Sequence, residues 1–280
     1  MVIVAGTQGQ FCNQLFRLGH HVANALQLGY EVNCADFEHR HLFPQLMQHQ
    51  LVSDEPLLSG FQQKLLKVGT RRPFQGTIRR LFEQQGYAVL DRAYEFDQAD
   101  RHFLEQATQQ RVIATHWDFR DYESFNRQYV ALKTMFALPE QAQNEASELL
   151  TVARQQGDIV VGIHLRRGDY AGWKGGKYYY DDSAYAGIMA HIIDLLPEKK
   201  VAFVLCSNEP IKQSSFSNWS TAISNKTFLG DLATLSQCDL LIGPPSTFSG
   251  WASFIGQVPH YHMHQSNARP SLQEFVPARG

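Results

Sequence analysis

The residues best equipped for chemistry cluster at positions 159–170, Ile-Val-Val-Gly-Ile-His-Leu-Arg-Arg-Gly-Asp-Tyr. The segment opens with β-branched residues between Gly157-Asp158 and Gly168, the pattern of a strand buried on both faces of a parallel sheet. It ends in His164, Arg166 and Arg167, whose polarity does not suit such a strand. In open α/β sheets, ligands bind beyond the carboxyl ends of the strands. Two guanidiniums there offer fork-shaped donors to a phosphate or carboxylate. A side-chain period of two puts His164 and Arg166 on one face and Arg167 on the other. The competing reading is an exposed loop whose arginines form surface ion pairs.

Three other groupings have chemical potential. Gly9-Gln10-Phe11-Cys12-Asn13-Gln14 joins a first strand to a first helix, where free helix amides suit an anion or a sugar. Its glycines lack the dinucleotide-fold spacing, and no Lys-Ser/Thr pair follows as in a P-loop; Asn13 equally fits a helix cap. Gly243-Pro244-Pro245 leads into Ser246-Thr247-Phe248-Ser249, where Ser246 or Thr247 caps a helix and exposed amides form a second phosphate site. Asp231 reads either as a cap or as an acceptor for two N–H donors of a guanine edge. His260, His262 and His264 share a face if they lie on a strand, as zinc ligands would, but no nearby cysteine or carboxylate completes a set, so no metal is expected.

The pattern around these residues predicts α/β architecture. Strands are expected at 2–5, 30–35, 87–90, 112–115, 159–165, 201–206, 240–242 and 258–262. Helices are expected at 12–28, with Gly29 as a left-handed cap, and at 122–136, 140–154, 183–195, 231–238 and 246–255. Pro139 suits the first turn of the 140–154 helix. Because strand–helix alternation restarts after the 122–136 and 140–154 pair, the division falls near Pro139. The expectation is two Rossmann-like domains, 1–139 and 140–280, facing each other across a cleft.

Composition narrows the function. The 280 residues are 44% hydrophobic and 19% charged, an ordinary globular balance. A formal net charge of −2 gives no global attraction to nucleic acid or anionic membrane. No apolar run is long enough to span a bilayer, the start carries no basic leader, and four scattered cysteines fit reduced thiols. A cytoplasmic protein is expected; its oligomeric state is not written in the sequence.

Several of these motifs resemble the fucosyltransferase superfamily, and most nearly the bacterial α-1,2-fucosyltransferases of glycosyltransferase family 11. The family hallmark His-x-Arg-Arg-Gly-Asp-Tyr stands at 164–170. Cys12-Asn13-Gln14 resembles the opening Gly-Asn-Gln motif, and Gly9-Gln10-Phe11 the form in protein O-fucosyltransferases. Asp231 to Cys238 followed by Ser246-Thr247-Phe248-Ser249-Gly250-Trp251 resembles the C-terminal motif, and Ser207-Asn208 the family's Ser-Asp pair. Departures are Cys12 for a glycine, Pro244-Pro245 for an Asn-containing approach, and Gly250 for a first tryptophan. Residues 36–155 carry no recognisable likeness.

The resemblance implies a GT-B fold, a GDP-fucose donor, a saccharide acceptor, inversion and no catalytic metal or other cofactor. Arg166 would bind the pyrophosphate with Arg167 in support. Ser246, Thr247 and Phe248 would line the phosphate pocket, with Gly9, Phe11 and His164 also in donor binding. Asp231 would read guanine, and Asn13 would approach the donor from the first domain. Asp169, the nearest carboxylate to the arginines, would orient Arg167 or the loop before Trp173. The first domain would hold the acceptor, where Asp36, Glu38 and His41 follow the second strand, and the second would hold the GDP-sugar. Use of another GDP-sugar and non-catalytic saccharide or nucleotide binding are the alternatives.

Overall fold

A computed structural model describes residues 1–6, 9–69, 72–97 and 101–280. Thr7 and Gln8, between the expected first strand and Gly9, lie outside the described residues. The chain divides into two compact units, Met1–Ala137 with Arg279–Gly280, and Leu138–Ala278. Nothing in the sequence pattern foreshadows the return of the last two residues to the first unit.

In the first unit, β1 (Val2–Val4) leads through α1 (Phe11–Leu28) to β2 (Val32–Asn33). Next come α2 (Pro44–Met47), β3 (Val52–Ser53), α3 (Gly60–Gly69), α4 (Arg72–Gln84) and β4 (Tyr87–Leu90). β5 (Tyr94–Glu95), α5 (Arg101–Gln109), β6 (Arg111–Ala114), β7 (Phe119–Arg120), α6 (Tyr122–Arg127) and α7 (Tyr129–Met135) complete it. Five strands form a parallel sheet in the order β3-β2-β1-β6-β4, and β5 pairs separately with β7. Ile3, Ala5 and Ile113 pack with Leu66, Ile78 and Phe82 in one buried cluster. α1 is apolar enough to be buried through most of its length and stops where Gly29 turns left-handed (φ 77°), its N–H donating to the Ala25 carbonyl at 2.8 Å. The single helix expected over 122–136 is two, broken at Gln128 (φ −89°, ψ 16°).

The second unit starts with α8 (Glu140–Gln156), for which Pro139 is the cap rather than a first-turn residue (φ −54°, ψ 150°). β8 (Ile159–Leu165), α9 (Asp182–Leu195), β9 (Val201–Ser207), β10 (Thr221–Ile223), α10 (Phe228–Leu235), β11 (Leu240–Gly243), α11 (Thr247–Gly256) and β12 (His260–His262) follow. They form a second parallel five-stranded sheet, β10-β9-β8-β11-β12. β8 is central and pairs with β9 along its full seven residues. Its Val160, Val161, Ile163 and Leu165 are fully buried, each contributing about 2 kcal/mol of apolar burial. Gly162 has no room for a Cβ, which would lie 2.8 Å from Leu235 and 3.0 Å from Cys238, so the covering layer presses directly on the strand.

All four cysteines are buried thiols outside any disulfide, Cys12 and Cys34 in the first unit and Cys206 and Cys238 in the second. Burial raises the Cys34 and Cys238 thiols to about 12 and pushes Cys206 well above its usual value. Among the described residues, no helix is long and apolar enough to cross a membrane.

Candidate functional site

The chain order of the second sheet locates its functional edge. From β8 the chain builds β9 and β10 on one side, then crosses back to lay β11 and β12 on the other. The reversal lies between β8 and β11, the place where open α/β sheets bind ligands at their carboxyl ends. Arg166 follows β8 there, and the 244–249 turn follows β11. The two strongest phosphate signals of the sequence thus meet at this one crevice.

Arg166 lies 14% exposed. Its Nη2 donates to both Asp169 oxygens, at 2.9 and 3.0 Å, and its guanidinium sits 5.3 Å from the Tyr170 ring centroid. Arg167 turns instead towards α9, pairs with Asp182 and lies 5.8 Å from the Tyr185 ring. Asn208 clamps the Arg167 backbone, accepting from its N–H at 2.8 Å and donating to its carbonyl at 3.2 Å. Gly168 is left-handed (φ 58°), and a Cβ there would lie 2.8 Å from the Asn208 amide nitrogen. Asp169 therefore pairs with Arg166 and not with Arg167, one of the two alternatives that the resemblance implies, the other being the loop before Trp173. The reason is local: the 3₁₀ turn Gly168–Ala171 brings position 169 back over 166.

Tyr170 joins the two halves of the crevice. Its hydroxyl donates to the Pro245 carbonyl at 2.5 Å, bracing the turn before Ser246. Ser246 caps α11 as expected, its side chain accepting from the Phe248 N–H at 3.2 Å. The first-turn amides of α11 and the positive end of its dipole thus lie at the carboxyl end of β11. His164 packs its ring on Phe248, 5.1 Å between centroids. Burial, with the Arg166 charge adding to it, lowers the His164 imidazole to about 3, so it is neutral and supports the turn from beneath.

Asp231 lies on the β9–β10 side. α10 starts earlier than the sequence suggests: its cap is Thr227, whose hydroxyl oxygen accepts from the Gly230 N–H at 3.1 Å. The cap reading of Asp231 is therefore wrong. Its carboxyl is 9% exposed and takes the Ser224 hydroxyl as donor. Burial raises it to about 6, against smaller opposing effects of Ser224 and Cys206. Histidines 260, 262 and 264 do not share one strand, since β12 ends at His262. Among the described residues, no group of three or more His, Cys, Asp or Glu is placed to hold a metal ion.

The first unit repeats the topology. From β1 the chain builds β2 and β3 on one side and β4 and β6 on the other, so its reversal lies between β1 and β6. The 9–13 segment follows β1 at that point. Gly9 is left-handed (φ 76°), and a Cβ on it would lie 2.6 Å from the Asn13 side chain. α1 is capped at Gln10, so Asn13 is inside the first turn and not the cap. Phe11 packs edge-on against His39, 4.8 Å between centroids.

Sequence reasoning misses Arg17. It is 3% exposed and donates to the carbonyls of Gly6 at 2.6 Å and of Ala5 and Ala114 at 2.8 Å each, tying the ends of β1 and β6 together. Burial lowers it to about 10. Asp36 holds the same turn by accepting from the Gly6 N–H at 2.6 Å. The available signal is an arginine between Leu15-Phe16 and Leu18 on a helix face that is otherwise core.

Solved structures share this α/β, GT-B-like fold. An Arg-to-Lys mutant of FUT1 from Arabidopsis thaliana in complex with GDP aligns with 99% of this chain and 73% of its own, at 12% identity and a TM-score of 0.55. POFUT1 in complex with GDP-fucose aligns over 91% and 93%, at 11% identity and a TM-score of 0.53. The fucosyltransferase NodZ from Bradyrhizobium aligns over 93% and 94%, at 14% identity and a TM-score of 0.53. No curated protein sequence matches. The sequence model of glycosyl transferase family 11 matches residues 72–267, a span that contains both strand ends of the second-unit crevice. That span is well over half of the chain, which therefore belongs to glycosyltransferase family 11.

Proposed function

We propose that this glycosyltransferase moves fucose from GDP-fucose to a saccharide hydroxyl, with inversion, forming an α-1,2 linkage to galactose without a catalytic metal. The observation that carries the reading is the convergence of Arg166 with the α11 amides at one topological reversal, joined by the Tyr170–Pro245 hydrogen bond. A metal-free transferase must stabilise the charge on its departing GDP with cations and fixed dipoles, and this crevice supplies both.

In the proposed step, the acceptor oxygen attacks the anomeric carbon from the face opposite GDP. The carbon–oxygen bond to the β-phosphate breaks, its electron pair stays on the phosphate, and the acceptor proton leaves to water or a phosphate oxygen. Arg166 exchanges Asp169 for that phosphate as charge develops. The exchange costs little, because the Asp169 side chain is 49% exposed and a solvated pair is weak. Arg167, pinned by Asp182 and Asn208, supports the loop rather than moving with the ligand. Ser246, Thr247 and Phe248 form the phosphate turn, His164 props it, and ionised Asp231 accepts from guanine. The second unit is assigned to the donor and the first to the reacting hydroxyl of the acceptor, while Gly9, Phe11 and Asn13 are assigned to contacts with the donor. Buried cysteines outside any disulfide support a reducing, cytoplasmic setting.

GDP-fucose and GDP-mannose supplied with a panel of galactose-terminated saccharides test the proposal. Fucosyl transfer to the galactose 2-hydroxyl is expected. Consumption of GDP-mannose in preference, or GDP binding with no turnover of either donor, refutes it.

A further inference from the structure

The loop between the arginine motif and α9 reads Ala-Gly-Trp-Lys-Gly-Gly-Lys-Tyr-Tyr-Tyr over 171–180, and nothing assigned so far uses it. It is held at both ends. Before it, the Tyr170 hydroxyl bonds the Pro245 carbonyl; at its end, the Tyr180 hydroxyl donates to the Met263 carbonyl at 2.9 Å. Between these anchors, Trp173 stacks at a tilt on Tyr170, 4.7 Å between centroids, and on Tyr178 at 5.4 Å. Tyr178 is buried, but Trp173 remains 38% exposed. An indole on the surface, fixed by two rings and one ring away from Arg166, is not accounted for by core packing.

The charges are equally specific. The Lys174 ammonium lies 4.8 Å from the Trp173 ring centroid and 5.8 Å from that of Tyr178, and Lys177 lies 5.1 Å from Tyr178. Among the described residues, neither lysine is paired with a carboxylate, while Asp169 and Asp182 are committed to Arg166 and Arg167. Asp181 caps α9, accepting from the Ala184 N–H at 2.9 Å. The loop therefore presents two positive charges beside an aromatic platform. Its backbone is strained to do so: Lys174 is left-handed (φ 49°), followed by Gly175 (φ 68°) and Gly176 (φ 77°). A lysine in that conformation carries a free-energy cost that a glycine there would avoid, and strain of this kind collects at ligand sites.

Sugar rings offer an apolar face of C–H groups that packs on an exposed indole, as other flat apolar groups do. The Lys174 ammonium lies over that indole in this structure, so a sugar ring stacking there moves it aside, and with Lys177 it then adds attraction for an anion on the same saccharide. We propose that loop 171–180 is an acceptor subsite, in which a sugar ring of the acceptor lies on Trp173 while Lys174 and Lys177 hold an acidic group on the same saccharide. This rests on the fucosyl-transfer reading above and specifies its acceptor as an anionic glycan rather than a neutral one.

The test uses the whole chain with lactose and its sialylated and sulfated derivatives at matched ionic strength. Saccharide binding is followed by calorimetry with GDP present, and acceptor KM by transfer. The acidic saccharides are expected to bind at least tenfold more tightly than lactose, with the advantage shrinking as salt rises. Trp173→Ala should weaken every saccharide about tenfold or more, with GDP affinity unchanged, and Trp173→Phe should recover part of the loss. Lys174→Gln with Lys177→Gln should abolish the acidic preference and leave lactose affinity within twofold. The subsite is overturned if Trp173→Ala binds the saccharides as wild type does. It is equally overturned if acidic and neutral saccharides bind alike, or if none binds although GDP does. Failure of the wild-type chain to bind GDP would refute the donor assignment instead.

Discussion

Asp231→Asn separates a residue kept for binding from one kept for stability. The Asp231 carboxyl, ordinarily ionising at 3.8, is raised to about 6 by burial. In the folded chain the protonated form is therefore favoured. The stabilisation associated with that proton is complete below 3.8 and is lost as pH rises through about 6. At pH 8 the buried anion costs at most about 3 kcal/mol, the free-energy equivalent of that pKa difference. The substituted amide would carry no charge and retain a partner for the Ser224 hydroxyl, so the variant should melt several degrees higher at pH 8 and no higher at pH 4.

Guanine N–H groups require the ionised carboxylate. GDP affinity of the natural chain should then fall about tenfold per pH unit below about 6, with binding in that range releasing a proton. Calorimetry in buffers of different ionisation enthalpy measures that release, and thermal melts at the two pH values measure stability. The Asp231→Asn variant should bind GDP at least tenfold more weakly, since an amide N–H would face the guanine donors. Undiminished GDP affinity in the variant, or a pH-independent affinity in the natural chain, refutes Asp231 as the guanine reader. A lower melting point at pH 8 refutes the stability argument.

Arg166→Ala should lower turnover by on the order of 10²–10³, and Arg166→Lys should recover little because a point charge lacks the guanidinium fork; steady-state rates decide. Transfer should survive EDTA, since the chain has no Asp-x-Asp motif to hold a divalent ion against a pyrophosphate; rescue of EDTA-treated enzyme by Mg²⁺ or Mn²⁺ would contradict this. Asp169→Asn should alter donor affinity without removing the basic limb of the pH–rate profile, because the carboxylate pairs with Arg166 and is not assigned as the base. Gly9→Ala should reduce transfer and destabilise the first unit, because a Cβ cannot coexist with Asn13 or with a left-handed backbone (φ 76°); a melt and a rate assay check both.

What can be read from the chain alone depends on how far each signal is local. β8 is legible end to end because a fully buried parallel strand is one unbroken apolar run. The two-residue strands β3, β5 and β7 carry no such run; pairing with neighbours makes them strands, and that information is not local. The start of α10 is easily misplaced because Thr227 and Asp231 are both good caps, and only the Thr227 hydroxyl meets an amide. The likeness to known transferases is visible in short motifs while residues 36–155 look blank, yet the family match begins at 72. Conversely, the 9–14 motif lies outside that match. Arg17 stays hidden because a charge in an apolar helix gives no hint that three carbonyls await it.

The four buried thiols make the chain its own unfolding clock. Thiolates, not thiols, react with alkylating and disulfide reagents, and sulfur enclosed in apolar surroundings neither ionises nor meets the reagent. Labelling of the native chain must wait for local or global opening. Cys12 and Cys34 time one unit, Cys206 and Cys238 the other. Mass spectrometry of a single alkylation series would therefore give two opening rates from one sample, and GDP should retard the second pair alone if the nucleotide belongs to that unit.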